Sequence, residues 1–119
     1  MKLIGPFLKI QNQIRVFHWQ TLSYAQHKAF GKAYEQLDDL IDTFIEVYMG
    51  KNGRSHAKVA YNIELQNLND EYMDVINYYI DFLTNDILIH LSEDDTDLLN
   101  IRDEMLAVLN RLKYLLSLG

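Results

Sequence analysis

Cysteine is absent from this chain of 119 residues, and proline occurs once. Without thiols there is no disulfide framework, no zinc knuckle and no thiol chemistry. With one proline, most of the chain is free to run as helix. Basic residues are also scarce: 11 Lys and Arg stand against 17 Asp and Glu, for a formal net charge of −6. A general phosphate-backbone binder would want a basic stripe instead, so DNA binding is not supported. The acidic balance suits solubility and tolerates metal cations. Long apolar runs are missing as well. The opening MKLIGPFLKIQ is interrupted at Gly5-Pro6, and no stretch approaches the roughly 20 apolar residues needed to span a bilayer. No membrane partner is expected, and a cytoplasmic location is the default.

What remains is 49% hydrophobic and 24% charged, a globular composition with helical flavour. The length fits one domain, residues 1–119, with a single core. Gly5-Pro6 opens a first helix, because proline at the first helical position loses no needed hydrogen bond. Leu3, Phe7, Ile10, Ile14 and Phe17 then recur at helical steps as far as about Gln20. Ser23 to Gln26 reads as a capping box for a second helix, Tyr24 to about Met49. Its inward residues are Phe30, Ala33, Leu37, Leu40, Ile41, Phe44 and Val47, and Gly50 is placed to end it.

Residues 50–68 show no sustained helical period and read as a crossing segment. Extended, it reaches about 60 Å, longer than the second helix at about 39 Å. Asn69 is placed to cap a third helix carrying Tyr72, Val75, Ile76, Tyr79, Ile80, Leu83 and Ile87. The acidic turn LSEDDTD puts negative charge at the start of a fourth, which carries Leu98, Ile101, Met105, Val108, Leu112 and Leu115. Short, long and short links imply an all-α four-helix bundle, ferritin-like in its connectivity, with a long crossover between the second and third helices. An up-down-up-down bundle with a long middle loop is the alternative.

Two histidines flank the first link. His18 lies about one turn before the break and His27 about one turn after it, so an antiparallel helix pair brings them to one level. On the second helix His27, Tyr34, Asp38, Asp42 and Glu46 fall within a sector of roughly 120°. Asp42 and Glu46, four residues apart, can share a cation. Imidazole with carboxylate suits iron or zinc better than calcium. His27 and Asp42 are separated by about 22 Å of helix, however, so one chain cannot bring all four groups to one metal. A shared site needs carboxylates from a second copy, across a two-fold that pairs helices head to tail.

The segment from His18 to Glu46 resembles the ferroxidase motif of the Dps-like miniferritins, in the ferritin-like superfamily. His18-Trp19, then His27, then Asp42-x-x-x-Glu46 stand at the intervals that carry the resemblance. It implies a homo-oligomer that oxidises ferrous iron at inter-subunit sites and stores the ferric product. His18 and His27 would be metal ligands from one subunit and Asp42 and Glu46 from its neighbour. Trp19 would be a catalytic aromatic that intercepts radicals. The family's aspartate one turn after the second histidine is replaced by Gly31, and Glu35 lies too far along the axis to stand in. The family's lysine-rich tail is also absent. No Glu-x-x-His occurs, which excludes a di-iron centre inside one bundle.

The plainer reading treats the histidines as capping or packing residues and the acidic stripe as a solvated face. It leaves a non-catalytic helical assembly or a protein-interaction module with a degenerate metal site. Trp19 would then be a core or interface anchor. The tyrosines of the third helix read as packing residues, and His56 and His90 as loop and helix-end residues.

Overall fold

A computed structural model describes residues 3–118, with helices α1 (Ile4–Gln20), α2 (Tyr24–Asn52), α3 (Tyr72–Thr84) and α4 (Thr96–Leu116). A short 3-10 turn, Asp86–His90, extends α3. The helices pack as an all-α four-helix bundle, with no strand among the described residues. No helix among them is long and apolar enough to cross a membrane.

Helix α1 begins two residues before the proline. Pro6 therefore sits inside the first turn, where amide protons have no helical acceptor and its missing N–H costs nothing. At the start of α2, the Ser23 hydroxyl accepts from the Gln26 backbone N–H at 3.2 Å. The return half of the box is relayed: Ser23 N–H donates to Thr21 Oγ1, and Thr21 Oγ1 donates to Gln26 Oε1 at 2.7 Å.

The end of α2 differs from the expectation. Gly50 lies within the helix, which runs on to Asn52. Gly53 ends it, at φ +86°, a left-handed conformation that glycine adopts without a side-chain penalty. The third helix is also shorter than expected. Ile87 is buried but belongs to the 3-10 turn, and the Arg102 guanidinium donates to the Leu83 carbonyl near the end of α3. Asn69 acts as expected on the approach to α3, its side chain accepting from Glu71 N–H at 2.8 Å.

The side-chain contacts fix the helix directions. Lys51, at the end of α2, pairs with Asp95 at 2.6 Å and Asp97 at 2.8 Å, so α4 starts where α2 stops. At the other end, Phe30 meets both Phe17 of α1 and Tyr72 at the start of α3. Phe7, near the start of α1, touches Phe44 of α2 and Phe82 near the end of α3. Helices α2 and α3 therefore run parallel to each other and antiparallel to α1 and α4. This is the long-crossover connectivity, and it rules out the up-down-up-down alternative.

The core is a continuous set of buried side chains from all four helices, led by Phe7, Phe17, Phe30, Phe44, Leu37, Ile76 and Met105. Among the described residues, one buried polar side chain other than the tyrosines stands out. Gln13 lies on the apolar face of α1 between Ile10 and Ile14, fully enclosed. Its amide clamps the crossing segment, donating to the Gln66 carbonyl and accepting from the Gln66 N–H, both at 2.8 Å. Gln20 repeats the device about two turns later, holding Asn67 and Leu68. The crossing segment is thus pinned along α1 by amides that stand in for a neighbouring strand.

Candidate functional site

The α1–α2 turn brings His18 and His27 face to face. Their rings stack with centroids 3.8 Å apart and planes 18° from parallel. Each ring is tied to the other's backbone: His18 Nδ1 lies 2.7 Å from the His27 carbonyl oxygen, and His27 Nδ1 lies 2.9 Å from that of His18. A carbonyl oxygen can only accept, so the proton sits on Nδ1 in both rings. The Nε2 lone pairs are left over, lying in two nearly parallel planes. Such lone pairs do not converge on one point, so the pair is suited to two neighbouring ions or to one ligand from each of two directions.

Gly31 explains how the rings fit. A Cβ built there would lie 2.8 Å from His18 Cε1 and 2.9 Å from His18 Nδ1. The His18 imidazole lies on the bare backbone of α2, and any side chain at position 31 displaces it. The aspartate that the miniferritin motif carries one turn after its second histidine has no room here. Glycine at this position is the condition for the histidine clasp. Tyr34, edge-on to His18 at 5.1 Å, closes the next side of the ring.

The carboxylates stand elsewhere. Asp42 and Glu46 are exposed on α2, well along the helix from His27. They approach each other closely enough that the hydrogen bond a protonated Glu46 donates to Asp42, and then the charge of Asp42, push the Glu46 carboxyl above its ordinary range. Asp38, on the same sector, is occupied by Arg15 at 2.8 Å. Partial burial, more than the like charges of Asp39 and Glu35, outweighs the arginine and raises its pKa. Arg15 in turn lies over the Tyr34 ring at 4.9 Å.

Of the four expected ligands, then, the chain joins His18 to His27 and Asp42 to Glu46 but keeps the two pairs apart. No cluster of three or more metal-ligating side chains forms among the described residues. A groove of about 550 Å³ runs beside the histidines, lined by Lys28, Lys32 and Arg111 with Glu35 as its one carboxylate. Trp19 is 68% exposed, so it is not a core anchor. It shares this end of the bundle with exposed Leu22 and Tyr24.

Comparison with known proteins adds a family. The chain belongs to DUF5856, a family of unknown function, whose profile matches residues 18–116. The matched span of this DUF5856 protein takes in both histidines, Gly31 and the acidic pair. Over 54 residues the chain is 39% identical to the "Uncharacterized 14.6 kDa protein in mobD-ri intergenic region" of Enterobacteria phage T4. That similarity covers 45% of this chain and 42% of the phage protein, less than half of either. No solved structure matches.

Two contributors were missed in the sequence. Gln13 had a signal, a glutamine at a core position of a clear helical period. Gly31 had none, because its role depends on how closely α1 approaches α2.

Proposed function

We propose that this DUF5856 protein binds ferrous iron at sites shared between two copies and oxidises it there. The observation that carries this reading is the histidine pair, with both Nδ1 protons committed to carbonyls and both Nε2 lone pairs unspent. Metal-ligating histidines characteristically donate their second nitrogen to a carbonyl or carboxylate, which fixes tautomer and aim. The remaining ligands would be Asp42 and Glu46 of a second copy, an exposed carboxylate pair four residues apart on one face of α2. Because the two Nε2 lone pairs do not converge, each imidazole would serve one of two neighbouring ions, and the carboxylates would complete their shells. Nitrogen with carboxylate is a donor set that iron accepts, and zinc also fits.

In such a site the imidazoles position the ferrous ion and the carboxylates favour the ferric product. Each iron gives up one electron to dioxygen or peroxide. Trp19, exposed next to His18 in the chain, would then intercept radicals that escape. The resemblance to miniferritins supports the same reading and extends it to storage of ferric iron in a closed oligomer.

A second reading has its own observation. Reciprocal bonds and the Gly31 cradle make the two histidines a complete architectural clasp with no metal. The protein is then a helical assembly or interaction module. Anaerobic titration of the metal-free protein with ferrous iron, followed by peroxide or air, separates the two. The iron reading expects saturable binding at a small whole number per chain and oxidation faster than iron alone. Both should be lost in His27→Ala and Asp42→Ala with helicity intact. No saturable binding, or binding unchanged in both variants, leaves the clasp reading.

A further inference from the structure

The outer face of α2 carries a charge pattern that is its own complement. Phe30, Ala33, Leu37, Ile41 and Phe44 are buried and define the inward side of the helix. Opposite them, within about 40° of a common line at 100° per residue, lie Tyr24, Lys28, Lys32, Glu35, Asp39, Asp42, Glu46 and Gly50. This stripe is exposed throughout. Lys28 and Lys32 make its first part basic, and Glu35, Asp39, Asp42 and Glu46 make the rest acidic.

The spacing is symmetric about Leu37. Lys28 and Glu46 are equally distant from it, as are Lys32 and Asp42, and as are Tyr24 and Gly50. We infer that two copies of the chain pair through this face of α2, antiparallel, with their two-fold axis at the level of Leu37. Lys28 then meets Glu46 of the second copy, and Lys32 reaches Asp42. Each contact occurs twice. Glu35 and Asp39 face each other near the axis, a like-charged step with Lys32 one turn away on each chain. Parallel pairing would instead set lysine on lysine and carboxylate on carboxylate.

Tyr24 and Gly50 point to the same register independently of charge. Gly50 sits inside α2, where glycine costs about 1 kcal/mol relative to alanine. Nothing in its own chain requires it, since a Cβ there would meet no atom within 4 Å. Tyr24 is 69% exposed. In the antiparallel register the Tyr24 ring of one copy reaches the bare backbone at Gly50 of the other. That contact closes each end of the stripe with an aromatic on a flat surface.

The proposed iron site also needs a second copy, and in this register the second copy's Glu46 comes within a residue of the level of His27. Its Asp42 lies about 7.5 Å further along, beside Lys32, so a metal there would displace the lysines from the carboxylates. The pairing is tested without metal, so that it and the iron reading can fail separately. Three variants are compared with the wild type by light-scattering mass in chelator, with helicity checked by circular dichroism. K28E/K32E has an all-acidic stripe, D42K/E46K has lysine at all four outer positions with only Glu35 and Asp39 acidic between them, and the fourfold exchange reverses the outer pattern. The wild type and the fourfold exchange are expected at twice the 14.0 kDa chain mass or an even multiple above it, more weakly as salt rises. Each double variant alone should weaken dimerisation at least tenfold, and their equimolar mixture should restore it. A monomeric wild type, double variants that dimerise alone as well as the wild type, or a folded mixture that stays monomeric would each overturn the pairing. A fourfold exchange that stays monomeric while the mixture dimerises would overturn its antiparallel sense.

Discussion

The two ends of α2 are both fastened to a neighbouring helix, by opposite means. At its start, His18 and His27 exchange hydrogen bonds with each other's backbone, stacked at 3.8 Å over Gly31. At its end, Lys51 reaches across to Asp95 and Asp97 at the start of α4. The first fastening is part-buried and made to backbone acceptors that cannot move away. The second is ionic and near the surface, where solvent screening leaves little net stabilisation. A helix end that only needs tethering can rely on exposed charge. Two side chains that must present a fixed atom need backbone anchors and a cleared surface beneath them.

The contrast is broken most severely at Gly31. Gly31→Leu drives a side chain into the His18 ring, and overpacking of this kind should cost about 3 kcal/mol, read as a lowered urea midpoint. The stacked histidine signals should disperse in the same variant. Gln13→Ala leaves the Gln66 peptide without its clamp and should cost about 2 kcal/mol, with faster amide exchange confined to the crossing segment. Ser23→Ala removes the cap beneath the clasp for about 1 kcal/mol, measured by thermal unfolding.

Lys51→Ala should have the smallest effect, and one that salt erases. Its pH dependence has a definite sign. Lysine holds Asp95 and Asp97 below their ordinary value of 3.8, so their contribution is present above that value and lost as pH falls through the lowered ones. The stability difference between Lys51→Ala and the wild type should therefore close in strongly acid solution. The Gly31→Leu difference should persist there.

The bundle was legible because its determinants are local and periodic. Apolar steps placed α1 and α4, and the long unpatterned link between α2 and α3 announced the crossover. The juxtaposition of His18 and His27 followed from a short link between antiparallel helices. The end of α2 was misplaced because Gly50 and Gly53 look alike in sequence, and only a backbone at φ +86° distinguishes the one that caps. Gly31 appeared as a lost ligand, whereas its meaning lies in a neighbour thirteen residues away on another helix. Lys51 fell within the stretch read as loop, so its ion pairs had no helix end to belong to.

If DUF5856 function rests on the clasp, His18 and His27 present two Nε2 lone pairs to a metal. Nitrogen-15 NMR of the histidine side chains tests this most directly, with zinc added as a diamagnetic stand-in for ferrous iron. Before zinc, both His18 and His27 should show the proton on Nδ1. With zinc, their Nε2 resonances should shift together and saturate, with Nδ1 still protonated, and the response should vanish in Asp42→Ala. Nε2 resonances of His18 and His27 that ignore zinc, while the protein remains folded, would contradict the metal reading and leave the pair as a fastening alone.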